Sequence, residues 1–254
     1  MSTLDLTVTF VDYKTPELSV IVVESFEKFV TRDFSLKFVV VENSNFDLSS
    51  YFADKKNIII ENRPTTSTFS QGHGEGLEST KKYVDTEYTF TCHTDVCVTS
   101  SKFFDEIKKC IEDRVVLAGV CEDKHPDRVK AYHCSGLLVR SDVYKNVSLL
   151  PDLPRIDTTD KLTLFCKDND MKMRLFKNTY NDSSLVDTIN SPFRELGKTC
   201  GVDRCLDRSG NVMYIHQGRG TTKYTNENKA VGKISTRQWI EICEYVLRGK
   251  DGQA

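Results

Sequence analysis

Glu87-Tyr-Thr-Phe-Thr-Cys-His-Thr-Asp-Val96 starts as an alternation and ends in a polar string, and its reading decides the fold. Glu87–Thr91 alternates with the two-residue period of a β-strand. The strand then runs into Cys92-His93-Thr94-Asp95. The same grammar occurs three times upstream. Leu6–Val11 alternates and breaks at Asp12-Tyr13-Lys14-Thr15-Pro16. Lys37–Val41 is an apolar run stopped by Glu42-Asn43-Ser44-Asn45, and Asn57–Ile60 is stopped by Glu61-Asn62-Arg63-Pro64. Between the first two, Glu17–Val30 places Leu18, Ile21, Val22, Phe26 and Phe29 at helical spacing.

Strands alternating with helices predict an α/β domain, a Rossmann-like sheet, mixed but mostly parallel and flanked by helices. Right-handed crossovers bring the ends of all four strands to one edge, where ligands of such sheets bind. Asp12, Glu42, Asn62 and Asp95 all fall on that edge. A run holding Gly72, Gly74 and Gly76 reads as a loop that enters a helix over Glu75–Val84.

The second half is less regular. Helices are expected at Ser101–Asp113, Ser141–Asn146, Asp157–Lys167 and Thr236–Arg248. Strands are expected at Val115–Val120, Ser135–Arg140, Met171–Phe176 and Val212–His216. No repeat or low-complexity linker divides the 254 residues, so one domain is expected. It divides into an alternating half (1–100), a less regular half (101–235) and a terminal helix (236–254).

A formal charge of −2 gives no bulk reason to bind nucleic acid or anionic membrane. No apolar run approaches a membrane span, and no basic-then-apolar leader opens the chain. A cytoplasmic protein (host cytoplasm if viral) without an integral membrane segment is therefore expected. Nine cysteines, an odd number without CxxC pairs, predict reduced thiols. Cys200, Cys205 and His216 form an incomplete zinc-like set.

Together the Val-Glu-Asn-Ser opening, the Gly-rich helix entry and the acidic tripeptide after strand four resemble family 2 glycosyltransferases of the GT-A fold, over roughly residues 4–220. The resemblance implies transfer of a sugar from a nucleotide-sugar donor, UDP-type favoured, with inversion and with Mn2+ or Mg2+. Its base and nucleoside contacts fall on Val11, Asp12, Tyr13 and Glu42. A carboxylate at a strand end can accept from a base or ribose, and Tyr13 offers a flat face. The donor-holding segment falls on Gly72, His73 and Gly74, where small residues let backbone approach a ligand.

The family's Asp-x-Asp falls on His93-Thr94-Asp95, with His93 in place of the first Asp. Asp95 keeps the metal position, and an imidazole beside it tilts the choice toward Mn2+. The resemblance adds His216 as a second metal ligand, and Arg219 and Lys223 as phosphate partners on a glycine-flanked loop. It places the general base at Asp157 or Asp160, though two Asp three residues apart also read as a helix cap and its partner. Gly136 falls where a strand passes the acceptor. The acceptor class stays open between glycans, proteins and modified bases in DNA. Compact transferases of phages and large viruses fit the Lys-, Asp- and Asn-rich composition.

Two other readings compete. A sugar nucleotidyltransferase would carry a Gly-rich basic loop after the first strand, where Asp12–Pro16 has no glycine. A non-catalytic nucleotide-sugar-binding relative would keep the fold without the full motifs.

Overall fold

The computed structural model describes residues 3–120, 126–189, 193–194, 202–218 and 235–249. Its first half is the expected parallel unit. β1 (Leu4–Asp12), β2 (Phe34–Glu42), β3 (Ile58–Asn62) and β4 (Tyr88–Cys92) stand in the order β3-β2-β1-β4, all parallel. Leu6, Val8 and Phe10 of β1 join one core cluster, while Thr7 and Thr9 are buried on the other face. There Thr9 Oγ1 lies 3.2 Å from Tyr144 Oη. Burial on both faces is what a parallel sheet covered by helices requires.

The first face is covered by α1 (Pro16–Phe29) and α3 (Lys102–Glu112). Phe26 of α1 packs its ring 5.2–6.2 Å from those of Phe38, Phe90, Phe103 and Phe104. The second face carries α2 (Phe69–Thr80), α4 (Ser141–Asn146) and α5 (Asp160–Asp168), through Leu77, Val143, Tyr144, Leu162 and Cys166. A last helix, α6 (Thr236–Arg248), begins with a Ser235–Gln238 capping box and buries Trp239, Cys243 and Val246. Lys28 at the end of α1 donates to the carbonyls of Val246 and Leu247 (3.1 and 2.6 Å), tying the two helices' ends together.

The sheet is not mostly parallel. Beyond β4 it continues through β7 (Gly136–Arg140), β6 (Leu117–Val120), β8 (Met173–Asn178), β9 (Asp203–Leu206), β10 (Val212–His216) and β5 (Val96–Val98). β6 and β8 are parallel, but β4/β7, β6/β7, β8/β9, β9/β10 and β10/β5 are antiparallel. The connections explain the difference. Parallel neighbours need a long crossover, usually helical, whereas β9 and β10 are joined by Asp207–Asn211 with Gly210 at φ +85°. Strands β5 and β9 carry too few residues to show a period in sequence.

Only His93, Thr94 and Asp95 separate β4 from β5, although the two stand far apart in strand order. Three residues span little more than 10 Å. The β10–β5 end therefore folds back onto the C-terminal edge of β4. Among the described residues, no helix is long and apolar enough to cross a membrane.

Candidate functional site

Strand register brings Asp12, Glu42 and Asn62 side by side at the C-terminal edge of the parallel strands, as expected. What their side chains do there differs. The buried Asp12 carboxylate accepts from the Thr15 N–H (3.1 Å) and hydroxyl (2.8 Å) and from the Ser19 hydroxyl (2.5 Å). It fastens the start of α1 to β1. Burial raises its pKa, against the pull of these bonds. Glu42 accepts from the Ser44 and Phe46 N–H groups (2.9 and 2.7 Å) and so holds its own turn. Val11 packs its methyls on α2 at Gly76, whereas Tyr13 is 41% exposed, with Lys14 Nζ 5.7 Å from its ring centroid.

The glycines do not form a loop. Gly72, Gly74 and Gly76 lie inside α2, which begins at Phe69, and all three are buried. A Cβ on Gly76 would lie 2.7 Å from Val11 Cγ2, and one on Gly74 would lie 3.1 Å from the Leu149 carbonyl oxygen. Each glycine costs a helix about 1 kcal/mol relative to alanine. Close packing of α2 on β1 and on residues 149–151 outweighs that cost, an interaction no local pattern encodes. Asn43 Nδ2 donates to the Gly72 carbonyl (2.7 Å), and Glu75 accepts from Thr65, Ser67 and Gln71. Those bonds hold the Glu75 carboxyl down at about 2. The helix N-terminus expected near Gly74 is thus at Thr68, and His73 projects from the helix body.

At the end of β4 the predicted residues meet. β10 pairs with β5 so that His216 stands opposite Val96, and the Gln217 N–H donates to the Asp95 carbonyl (3.0 Å). His216 Nε2 lies 3.3 Å and His93 Nδ1 3.8 Å from the buried Asp95 Oδ1. His93, Asp95 and His216 each place a ligand atom within 4.8 Å of the others, a spacing that fits one cation. Thr94 between them is buried.

The cluster is larger than the sequence reading held. His73 and His133 join it, with ring centroids 5.0 and 5.4 Å from that of His93, and His133 stands 6.0 Å from His216. Thus four of the chain's five histidines crowd the end of β4. Cys134 Sγ lies 3.0 Å from His93 Nε2. His133 Nδ1 accepts from the Ser135 N–H (3.2 Å), which leaves its Nε2 to carry the proton. His133 and Cys134 are separated from β7 by Ser135 alone; their only signal in sequence was a histidine and a cysteine close to the Gly136 strand.

Burial pushes the His93 imidazole down to about 4, although the Asp95 carboxylate pulls the other way. Burial, then repulsion from His93 and His133, puts His73 well below its ordinary value. Both rings are neutral at pH 7, with lone pairs available to a cation. In the unfolded chain they protonate at ordinary values, near 6.5. Between about 6.5 and about 4 the unfolded state binds more protons, so stability rises with pH there. The metal-free protein should therefore lose thermal stability as pH falls through that window. A melting temperature that stays flat from pH 6.5 to 4 would contradict the neutral cluster.

The two aspartates expected as general base separate clearly. Helix α5 begins at Asp160, not Asp157, because Thr159 takes φ +70° and turns the chain just before it. Asp160 Oδ2 accepts from the Asp157 N–H (2.7 Å), closing that turn from inside. Asp157 instead pairs with Arg128 and accepts from the Thr158 N–H (2.8 Å). Its burial opposes the charge but is outweighed by bonds from Ser70 and Thr158 and by Arg128 and His133, so its pKa is lowered. The Asp157 charge is felt at His93 in turn. Asp157 is thus paired with Arg128, and its charge couples to those of His93 and His133.

Gly136 does not face an acceptor. It starts β7 opposite Cys92, and its missing Cβ is replaced by the Tyr214 side chain, whose Oη would lie 2.3 Å from it. Nor do Cys205 and His216 share a zinc site: Cys205 belongs to the main hydrophobic cluster. Cys200, Arg219 and Lys223 lie outside the described residues. The seven cysteines among the described residues are all thiols, as the odd count predicts.

No protein-family model matches the chain, and no curated protein matches it in sequence. Among solved structures it is similar to the mannosyltransferase PcManGT from Pyrobaculum calidifontis, in complex with GDP-Man and Mn2+. That likeness has 10% identity and a TM-score of 0.48, and covers 69% of this chain and 55% of the other. It is also similar to S. aureus TarS (13% identity, TM-score 0.45, 59% of this chain and 30% of that one). A third is glucosyl-3-phosphoglycerate synthase from Mycobacterium tuberculosis in complex with phosphoglyceric acid, with 11% identity and a TM-score of 0.46, covering 68% and 69%. The chain spans about half the length of the first and under a third of the second. Likenesses this distant carry no conclusion about activity.

Proposed function

We propose that the chain is a metal-dependent glycosyltransferase that moves a sugar from a nucleoside diphosphate sugar to an acceptor hydroxyl. One observation carries this reading. His93 and Asp95, just after β4, and His216, at the end of β10, converge from two distant stretches at the C-terminal end of a parallel strand, where the charge of a second carboxylate, Asp157, also acts on His93.

The donor set fits a cation. One carboxylate oxygen and two imidazoles suit Mn2+ better than Mg2+, which prefers oxygen ligands and its own waters. Residues His93, Asp95 and His216 would hold such an ion, which would supply positive charge to offset the negative charge developing on the diphosphate as the sugar leaves. Asp95 and His216 would hold it from rigid elements, since β10, β5 and the end of β4 are buried. The exposed Tyr13 ring offers a stacking face for the base, while Asp12 and Glu42 shape the turns beside it. A UDP-sugar is the first donor to test.

Asp157 is the general base of this reading. It takes the proton of the acceptor hydroxyl as that oxygen attacks, and Arg128 keeps it ionised beforehand. Direct attack opposite the leaving diphosphate inverts the anomeric centre. Phe69 stands 86% exposed at φ +49°, next to Ser70, whose carbonyl accepts from the Thr158 hydroxyl (2.7 Å). Its ring gives the acceptor, a glycan or a modified base in DNA, a flat apolar face near Asp157.

Incubation with a panel of nucleotide sugars and Mn2+ should release nucleoside diphosphate from one donor, and EDTA should stop the release. Donor-dependent stabilisation without any release would instead favour a binding relative. Asp157→Asn should lower turnover by about 10^2–10^4-fold while keeping the donor's thermal shift. Unchanged turnover would remove Asp157 from the reaction.

A further inference from the structure

His93 presents its two ring nitrogens to different partners. Nδ1 faces Asp95 Oδ1 at 3.8 Å, and Nε2 faces Cys134 Sγ at 3.0 Å. Beside the ring stands His73, with centroids 5.0 Å apart, and its own buried Nε2 has no hydrogen-bond partner among the described residues. His73, His93 and Cys134 each offer a ligand atom within 4.8 Å of the others. We propose that these three residues form a second cation site, specific for a thiophilic ion of the Zn2+ class, and that it competes with the Asp95 site for His93.

The chemistry of the donors sets the class of ion. Two imidazoles and a thiolate make an N2S set with a fourth position open, which selects Zn2+ or Co2+ over Mg2+ and Mn2+. Ligands about 2.0–2.3 Å from a tetrahedral ion stand roughly 3.3–3.6 Å apart, so the His93–Cys134 contact opens by only a few tenths of an ångström. All three residues sit on well-anchored backbone. His73 is in the body of α2, between two glycines packed against neighbouring backbone. His93 ends β4, and Cys134 lies two residues before the Cys92–Gly136 pair that joins β4 to β7.

Competition follows from the valence of imidazole. A neutral ring has one nitrogen lone pair and one N–H. When Nδ1 binds a cation at Asp95, Nε2 carries the proton and points it at Cys134. When Nε2 binds a cation with Cys134 and His73, the proton sits on Nδ1 and points at Asp95. Binding at the thiolate site releases the Cys134 thiol proton to solvent and moves the ring proton from Nε2 to Nδ1, with no redox change. A Zn2+-class ion there withdraws His93 from the Asp95 site. The second site rests on its own residues; only the consequence for donor use rests on the transferase reading.

The test is titration of the full, metal-free chain with Co2+, following the near-ultraviolet thiolate-to-cobalt charge-transfer absorption. The wild type should show the band. Cys134→Ser should lose it, and His73→Gln should weaken Co2+ binding at that band at least about ten-fold, while both keep wild-type far-ultraviolet circular dichroism and Mn2+ binding. Asp95→Asn should retain the band, because it touches only the other site. No band in the wild type, a band that survives in Cys134→Ser, or one that Asp95→Asn abolishes would each overturn the proposal. If no nucleotide sugar is turned over but the band behaves as described, the transferase reading fails and the second site stands. With a donor in hand, Zn2+ should inhibit Mn2+-supported turnover in the wild type and do so at least about ten-fold less potently in Cys134→Ser.

Discussion

Asp95→Asn is expected to abolish Mn2+-dependent stabilisation and to lower sugar transfer by about 10^2–10^3-fold, while the metal-free protein still folds. Asp95 supplies the carboxylate of the proposed cation site, and asparagine keeps its shape without its charge. In the metal-free state the change is mild. The side chain is buried 3.3 Å from His216 Nε2, and an amide fills the same space. With metal, the loss is large. A cation at 100 times its dissociation constant stabilises the folded state by about 2.7 kcal/mol, and that increment should disappear. Thermal melts with and without Mn2+, together with the fraction of Mn2+ bound, check both halves. A wild-type shift in Asp95→Asn would move the cation elsewhere and remove the basis of the proposed mechanism.

Gly136→Ala should destabilise the chain by about 1–3 kcal/mol, lowering the melting temperature by roughly 3–10 °C. A Cβ at this position would lie 2.3 Å from Tyr214 Oη and 2.9 Å from Cζ. The tyrosine cannot step aside, because its ring packs between Phe90 and Phe103, with centroids 6.4 and 6.1 Å away. Relief must come from β10, which also carries His216. The variant should therefore weaken Mn2+ binding along with stability, although residue 136 touches no ligand. Tyr214→Phe in the same chain removes the nearest atom and should restore part of the loss, a coupling readable in a double-mutant cycle. Equal melting temperatures for wild type and Gly136→Ala would mean that β10 yields freely, and the rigidity invoked for His216 would fail with it.

How far each feature could be read depended on whether its cause was local. Helix α1 follows from Leu18, Ile21, Val22 and Phe26 at helical spacing, and α6 and β10 match their expected limits. The glycines of α2 misled because local propensity favours a loop there. Backbone packed against Val11 and Leu149 settles the matter instead. Asp157 and Asp160 looked interchangeable in sequence. They part only because Thr159 turns left-handed, burying Asp160 in the turn and leaving Asp157 to Arg128 and the histidines. His133 and Cys134 carried no periodic or motif signal at all.

Alternation and apolar runs alone established the four parallel strands and the edge at which their polar ends gather. Those patterns report burial against immediate neighbours, and burial is a property of each segment. The antiparallel half, the strand β5 that returns to β4, and the meeting of four histidines with Asp95 and Cys134 depend on contacts between residues far apart in the chain. Such contacts form only once the whole sheet has closed, because no short segment holds both partners of a tertiary pair.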